Sequence, residues 1–453
     1  MDIAIIGLGK FGKELTEHLS KENHNIIVVD NKPNVVEEIV NQYDVKGYVG
    51  NGASYQTFLD ASISKVDVLI AITPSDETNM LCCLVAKKLN IKQTIARIRN
   101  PEYARLAQVM SDELGISLIL NPDLDTAIEI FRTIRFPSAI KVDSFANGKV
   151  DLVEIKVEKG SILCDISLSE LREKYNVGIL ICAVVRNDEV FIPKGNFILK
   201  ENDEIYITSD AKKISKEFKK LKIFKDKLSS SLIVGGGRIT YYLANLLLDN
   251  GISVKIFDKE KSVCKSLSEA LPKAIILNGD ATNQKLLLEE GMETVDSVIT
   301  LTGMDETNII ISSFASNLKC DKVITKVNNT NYSSILKNIG LDSVISPKDI
   351  FASNIIRYVR GLENINSRDS EFKTLYRLVN NKVEAIEFSI PKQTEYTSIP
   401  LKDLKFKPNN LLACIIRQNK VIIPSGKDTI EPLDSIVVVT TNSSIKDIKD
   451  IMG

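Results

Sequence analysis

Over residues 1–137, short apolar runs alternate with stretches whose apolar positions recur every three or four residues. Residues 2–6 form a brief run rich in β-branched side chains. Residues 11–20 then carry Phe11, Leu15 and Leu19 at helical spacing, and residues 26–29 form the next apolar run. The pattern continues with a helix over 35–43, strands over 46–49 and 66–73, and a helix from Asp76 through Leu89. Strands over 94–98 and 117–120 and helices over 102–114 and 124–134 complete it. The run VDVLIAIT at 66–73 has no polar alternation after its start, as expected of a strand covered by helices on both faces. Strict alternation of strand and helix predicts a doubly wound, parallel α/β domain over residues 1–138.

Near residue 140 the period changes. Residues 150–157, 178–185, 190–192 and 204–208 read as strands around one short helix at 168–174, a small β-rich unit over 139–212. Its size suits ligand sensing or dimerisation better than an active site. A Lys-rich stretch follows, with Ile214, Phe218 and Leu221 at i, i+4 and i+7, read as a linker over 213–228 with a solvated face.

The chain then repeats itself. Leu232 to Gly237 matches Ala4 to Gly9, and Asp258 matches Asp30, each 228 residues later. Asp305-Glu306-Thr307-Asn308 reproduces Asp76-Glu77-Thr78-Asn79 identically at 229, and Ile422 to Gly426 matches Phe191 to Gly195 at 231. Shared order over the whole length predicts two copies of a large-plus-small unit. The second large domain falls at 229–366 and the second small domain at 367–453. The expected fold class is therefore two Rossmann-like doubly wound parallel-sheet domains, each followed by a small α+β domain.

Composition narrows the function. The 58 basic and 59 acidic residues leave no excess of positive charge, which argues against nucleic-acid binding. No apolar run approaches 18 residues, so no transmembrane helix is expected. The N-terminus enters a strand without a basic n-region, so no signal peptide is expected either. Seven scattered cysteines without metal spacing suit a reducing cytoplasm and read as small buried hydrophobes.

The candidate chemistry lies at predicted strand ends. Gly7, Gly9 and Gly12 spell G-x-G-x-x-G between a strand and a helix, with Asp30 eighteen residues after the last glycine. The glycines permit a tight turn, approach of a pyrophosphate and close helix–strand packing, and the acid meets a ribose hydroxyl. The helix N-terminus offers free N–H groups to phosphate. Asn51 and Gly52 follow the third strand, Thr73 and Pro74 the fourth, and Arg97 lies in the fifth, where it could neutralise phosphate. The alternative is a purely structural glycine turn. The acids of Asp76 to Asn79 read as helix capping. In the second copy Gly235, Gly236, Gly237, Asp258, Asp280 and Ala281 keep the pattern. Thr240 replaces the third glycine and would hinder packing or approach; Lys326 replaces the arginine with a point charge. His18 and His24 are the only histidines and fall away from the predicted cleft. Without an acid–base pair, a Tyr-x-x-x-Lys pair or a metal cluster, a sensor is favoured over an NAD-dependent oxidoreductase, the alternative that uses the same fingerprint.

These motifs resemble those of the TrkA family of potassium-uptake regulators, built from RCK (regulator of conductance of potassium, or KTN) modules. The resemblance rests on the fingerprint with its acid, the turns at Gly50 to Ser54 and Gly279 to Thr282, ITPSDETNM with LTGMDETNI, and IARIRNPEY. It covers essentially the full chain. It implies a non-enzymatic, peripheral cytoplasmic subunit on the inner face of the plasma membrane, bound to an integral potassium-transporting subunit of the TrkH/TrkG type. It also implies NAD(H) as ligand, ATP or ADP as alternatives, and RCK rings, here as a homotetramer. Some small domains of this kind bind cyclic di-AMP, though no residue here assigns it. By resemblance the nucleotide positions are Gly7, Leu8, Gly9, Lys10, Phe11, Asp30, Thr73, Pro74 and Arg97. In the second half they are Gly235, Gly236, Gly237, Arg238, Ile239, Asp258, Thr302, Gly303 and Lys326.

Overall fold

Side chains of the first strand alternate between two cores, Ile3 and Ile5 to one face, Ala4 and Ile6 to the other. Such a strand must be covered on both sides. The computed structural model describes residues 1–22, 24–109, 111–145, 149–211, 213–223, 228–329, 332–366, 372–378, 382–390, 393–442, 445 and 447–453. Residues 224–227 of the expected linker, residue 212 and residues 367–371 lie outside the described residues.

The first large domain runs β1 (Asp2–Ile6), α1 (Lys10–Ser20), β2 (Asn25–Asp30), α2 (Pro33–Gln42), β3 (Lys46–Val49) and α3 (Tyr55–Asp60). It continues with β4 (Val68–Ala71), α4 (Asp76–Lys88), β5 (Gln93–Arg97), α5 (Pro101–Val109), α6 (Ser111–Leu114), β6 (Leu118–Leu120) and α7 (Pro122–Arg135). The sheet order is 3-2-1-4-5-6, all parallel. The predicted helix over 102–114 divides into α5 and α6.

The first small domain has β7 (Lys141–Phe145), β8 (Val150–Lys156), α8 (Leu168–Tyr175), β9 (Leu180–Arg186), β10 (Glu189–Phe191), β11 (Glu204–Asp210) and α9 (Ile214–Lys220). Its sheet, ordered 10-9-11-8-7, is antiparallel. Ile214, Phe218 and Leu221 are buried in this domain's core, so the apolar stripe of the Lys-rich helix is a packing face.

The second half repeats the first. Its large domain has β12 (Ser230–Val234), α10 (Arg238–Asp249), β13 (Ser253–Asp258), α11 (Lys261–Ala270), β14 (Ile275–Asn278) and α12 (Gln284–Glu289). It goes on with β15 (Ser297–Thr300), α13 (Asp305–Asn317), β16 (Lys322–Lys326), α14 (Ser333–Asn338), β17 (Val344–Ile345) and α15 (Pro347–Asn366). The sheet order 14-13-12-15-16-17 is the first one over again. The second small sheet comprises β18 (Phe372–Leu378), β19 (Val383–Ser389), β20 (Asn410–Arg417), β21 (Lys420–Ile422) and β22 (Ser435–Thr440), ordered 18-19-22-20-21.

The two halves exchange helices. In each large domain the first two helices cover only part of one sheet face. The remainder, over the fourth to sixth strands, is covered from the other half. Phe351, Ile355, Ile356 and Val359 of α15 complete the first domain's core beside Leu15, Ile70, Ile95 and Leu120. Ala127, Ile130 and Ile134 of α7 complete the second domain's core beside Leu243, Ile299 and Ile324. The small domains pair as well. Leu152, Cys182 and Ala183 of one sheet share a core with Ala385, Ala413 and Val437 of the other.

Where α7 meets α15, Asn354 Nδ2 donates to Asp125 Oδ2 at 3.0 Å. Burial pushes the Asp125 carboxyl up to about 6, although the Asn354 hydrogen bond opposes this. An acid raised above its unfolded value contributes stability that is full below about pH 4 and lost as pH rises through about 6. Asp125→Asn keeps an acceptor for Asn354 and removes the charge. Unfolding free energies across pH are expected to coincide below about pH 4 and to favour the variant by about 3 kcal/mol near neutrality.

Candidate functional site

Both glycine turns lie at the carboxyl ends of the parallel strands, at the switch point between the first and fourth strands. Gly7 has φ +99°, and a Cβ there would lie 2.8 Å from the Thr73 backbone nitrogen. Gly235 repeats this with φ +102° against Leu301 and Thr302. Gly9 and Gly237 are exposed, with open space where a side chain would be. Lys10 and Arg238 follow as the exposed first residues of α1 and α10.

A carboxylate orients each turn. Asp30 accepts from Leu8 N–H at 2.7 Å and Lys32 N–H at 3.0 Å. Asp258 accepts from Gly236 N–H at 2.6 Å and Glu260 N–H at 2.8 Å. Both residues are half-buried.

The third glycine explains the one irregular position. A Cβ on Gly12 would overlap the Gly7 carbonyl. In the second copy, buried Thr240 occupies this place and its hydroxyl donates to the Gly235 carbonyl. The side chain is thus accommodated by a hydrogen bond beneath the turn, away from exposed Gly237.

Asn51 and Asp280 build the turns after β3 and β14, accepting from Ala53 N–H at 3.0 Å and Thr282 N–H at 2.9 Å. Gly52 sits where a Cβ would overlap Ile6, and Ala281 is buried in the second domain's core. Pro74 and Gly303 are exposed beside the glycine turns.

Sequence reasoning assigned the Asp-Glu-Thr-Asn repeat to capping. In the first copy Ser75 is the residue that caps α4, accepting from Thr78 N–H at 3.1 Å. Asp76 instead accepts from Arg99 and Asn100 N–H at 2.9 and 2.8 Å, fixing the loop after β5. Asn79, fully buried, accepts from Thr73 N–H at 2.7 Å and donates to the Arg97 carbonyl at 2.8 Å. Asn308 does the same with Thr302 and Lys326 at 2.9 and 3.0 Å, and Asp305 holds Asn328 and Asn329 N–H. The amides position Thr73/Arg97 and Thr302/Lys326, and the acids fix the loops that follow β5 and β16. The signal was their identical recurrence, which helix capping alone does not demand.

Arg97 is 5% exposed, stacks over the Phe11 ring at 5.4 Å and donates to the Thr73 carbonyl. Among the described residues its Nε has no hydrogen-bond partner. Burial, helped by neighbouring Arg99, pushes its guanidinium down to about 10. Lys326, also buried, donates to the Leu301 carbonyl at 3.4 Å, and desolvation lowers its ammonium. Arg97 lies within electrostatic range of Arg238 from the other half, and Lys326 within range of Lys10. The helix exchange therefore sets the two cationic cradles against each other.

Comparison with known proteins bears on the family and the fold. The TrkA-N domain family matches residues 3–122 and 231–347, and the TrkA-C domain family matches residues 152–222 and 385–453. A Trk system potassium uptake protein TrkA homolog of Archaeoglobus fulgidus is 31% identical over 453 residues, spanning all of both chains. The Trk system potassium uptake protein TrkA of Vibrio alginolyticus is 31% identical over 446 residues, 98% of this chain and 96% of that one. Among solved structures, the GsuK RCK domain superposes with a TM-score of 0.64 at 17% identity, covering 97% of this chain and 92% of that one. The GsuK channel bound to NAD superposes with the same TM-score at 18% identity, covering 97% and 77%. Two glycine-turn domains and two small domains in tandem, matched over the full length, place the chain in the TrkA family of Trk system potassium uptake proteins.

Proposed function

We propose that this protein is a nucleotide-sensing, non-enzymatic regulatory subunit of a potassium uptake system. NAD(H) is the ligand favoured at the glycine turns, with ATP or ADP as alternatives. The observation that carries the reading is the pair of cradles, each with an open glycine, a carboxylate and a buried cation. A diphosphate at the helix N-terminus would compensate the buried Arg97 or Lys326, and Asp30 or Asp258 would accept from a ribose. The carboxylates disfavour a 2′-phosphate and hence NADP.

Binding acts through linkage: a nucleotide biases gating only by its different affinity for two arrangements of the halves. The membrane partner is an integral potassium-transporting subunit of the TrkH/TrkG type, with this chain peripheral on its cytoplasmic side. Among the described residues no helix is long and apolar enough to cross a membrane. A homotetrameric ring is the assembly we favour. Exposed Leu81 and Ile310, at matching places on α4 and α13, with Met304 and Ile339, offer apolar faces for such contacts.

The test is titration of the purified full chain with NADH and with ATP, beside potassium uptake by cells carrying the same variants. Arg97→Ala and Asp30→Ala are each expected to weaken first-site binding by about 10–100-fold, the worth of a charged hydrogen bond. Uptake is expected to lose its nucleotide regulation in the same cells. Wild-type affinity in both variants would remove the assigned site, and unchanged regulation would remove the sensor role.

A further inference from the structure

Among the described residues outside the cradles, one cluster of potential metal ligands joins the two halves. Glu14 and His18 stand at i and i+4 on α1, with Glu14 Oε1 and His18 Nε2 3.4 Å apart. Asp349 lies in the first turn of α15, the helix supplied by the second half. One ligand atom from each of the three lies within 4.8 Å of the other two, and all three residues are half-buried. A tetrahedral cation with bonds of about 2.1 Å holds its donors roughly 3.4 Å apart, a spacing the Glu14–His18 pair already has. Burial and the charge of Glu14 raise the Asp349 carboxyl above its ordinary range, while a hydrogen bond with the Ser346 side chain, then His18 and Lys141, act against this. Lys141 is itself engaged by Asp143 at 3.1 Å and Glu129 at 4.0 Å. Two carboxylates and an imidazole are thus gathered in a half-buried position where the two halves of the chain meet.

The repeat supplies an internal control. In the pseudo-symmetric contact of α10 with α7, Tyr242 and Leu246 stand where α1 has Glu14 and His18. Leu124 occupies the place of Asp349 in the first turn of α7. Tyr242 and Leu246 pack against the second domain's core. The helix contact is thus built without ligands in one copy, so packing alone does not require them in the other.

We propose that Glu14, His18 and Asp349 bind one divalent transition cation of the zinc class, clamping α1 of the first half to α15 of the second. One imidazole and two carboxylates, with water completing the shell, suit such an ion. The cation pins the helix that starts at the first glycine turn.

The experiment is titration of the chelator-stripped full chain with ZnCl2, followed calorimetrically and by thermal melting, with CoCl2 as spectroscopic probe. Glu14→Tyr with His18→Leu installs the side chains of the second copy; Asp349→Asn is the independent variant. The wild type is expected to take up one Zn2+ more per chain than either variant and to melt several degrees higher with metal. Its Co2+ form is expected to show weak ligand-field bands without sulfur-to-metal charge transfer. Equal stoichiometry in wild type and both variants would overturn the proposal. A thiolate charge-transfer band would also overturn it, by moving the ion to a cysteine.

Discussion

Phe351→Ala is expected to destabilise the first large domain by about 3–5 kcal/mol, the cost of truncating a fully buried phenylalanine, although the residue belongs to the second half of the chain. Phe351 is completely buried among Leu15, Ile70 and Ile95 of the first domain. Its ring meets Phe11 edge-on at 5.1 Å and 74°. Phe11 in turn carries the Arg97 guanidinium over its face at 5.4 Å. The cavity would therefore loosen the start of α1 and the buried cation of the first cradle together, and nucleotide affinity there should fall with stability. Amide hydrogen exchange reads the effect by location. Faster exchange in β1, β4 and β5 is the expected result. Acceleration confined to residues 229–366 would show that α15 contributes nothing to the first core.

Gly7→Ala and Gly9→Ala are expected to separate folding from binding. At Gly7 the backbone has φ +99° and a Cβ meets the Thr73 backbone at 2.8 Å, where no flexible side chain can yield. Left-handed strain plus displacement of β4's end should cost about 2–4 kcal/mol, seen as a lower denaturation midpoint for the first half. At Gly9 the backbone is extended and nothing lies within 4 Å. Stability should there stay within about 0.5 kcal/mol, as for other exposed positions. Yet the added methyl fills the space a pyrophosphate would approach, so first-site affinity should fall steeply while Gly237 and the second site are untouched. Equal binding by Gly9→Ala and wild type would move the ligand away from this turn.

Much of the fold was legible because strand and helix periods differ, and because the chain states its pattern twice. The continuous apolar run before Thr73 marked a strand covered on both faces, and β4 is buried along its whole length. The glycines were legible because their chemistry is local: a positive φ and a lost Cβ belong to single residues. Asn79 and Asp76 were harder. Their partners, Thr73, Arg97, Arg99 and Asn100, are met only after α4 has folded back onto β4 and β5. In sequence an acid and an amide at a helix start look like caps. Thr240 shows a similar limit, since its fate depends on whether a carbonyl lies within reach of its hydroxyl.

The sequence by itself determined the tandem architecture, the alternating elements and the two glycine turns with their acids, all properties of near neighbours along the chain. Only the tertiary structure decided which helix covers which sheet. The amphipathic faces of α7 and α15 carry no address, and each would serve equally on its own domain by pattern alone. The exposed half of a sheet face near the fourth to sixth strands set the destination, and each was filled from the other half. That exchange brings Arg97 towards Arg238 and Lys326 towards Lys10, and Glu14 and His18 towards Asp349. These juxtapositions arise between residues remote in sequence, whose proximity is a consequence of burying apolar surface.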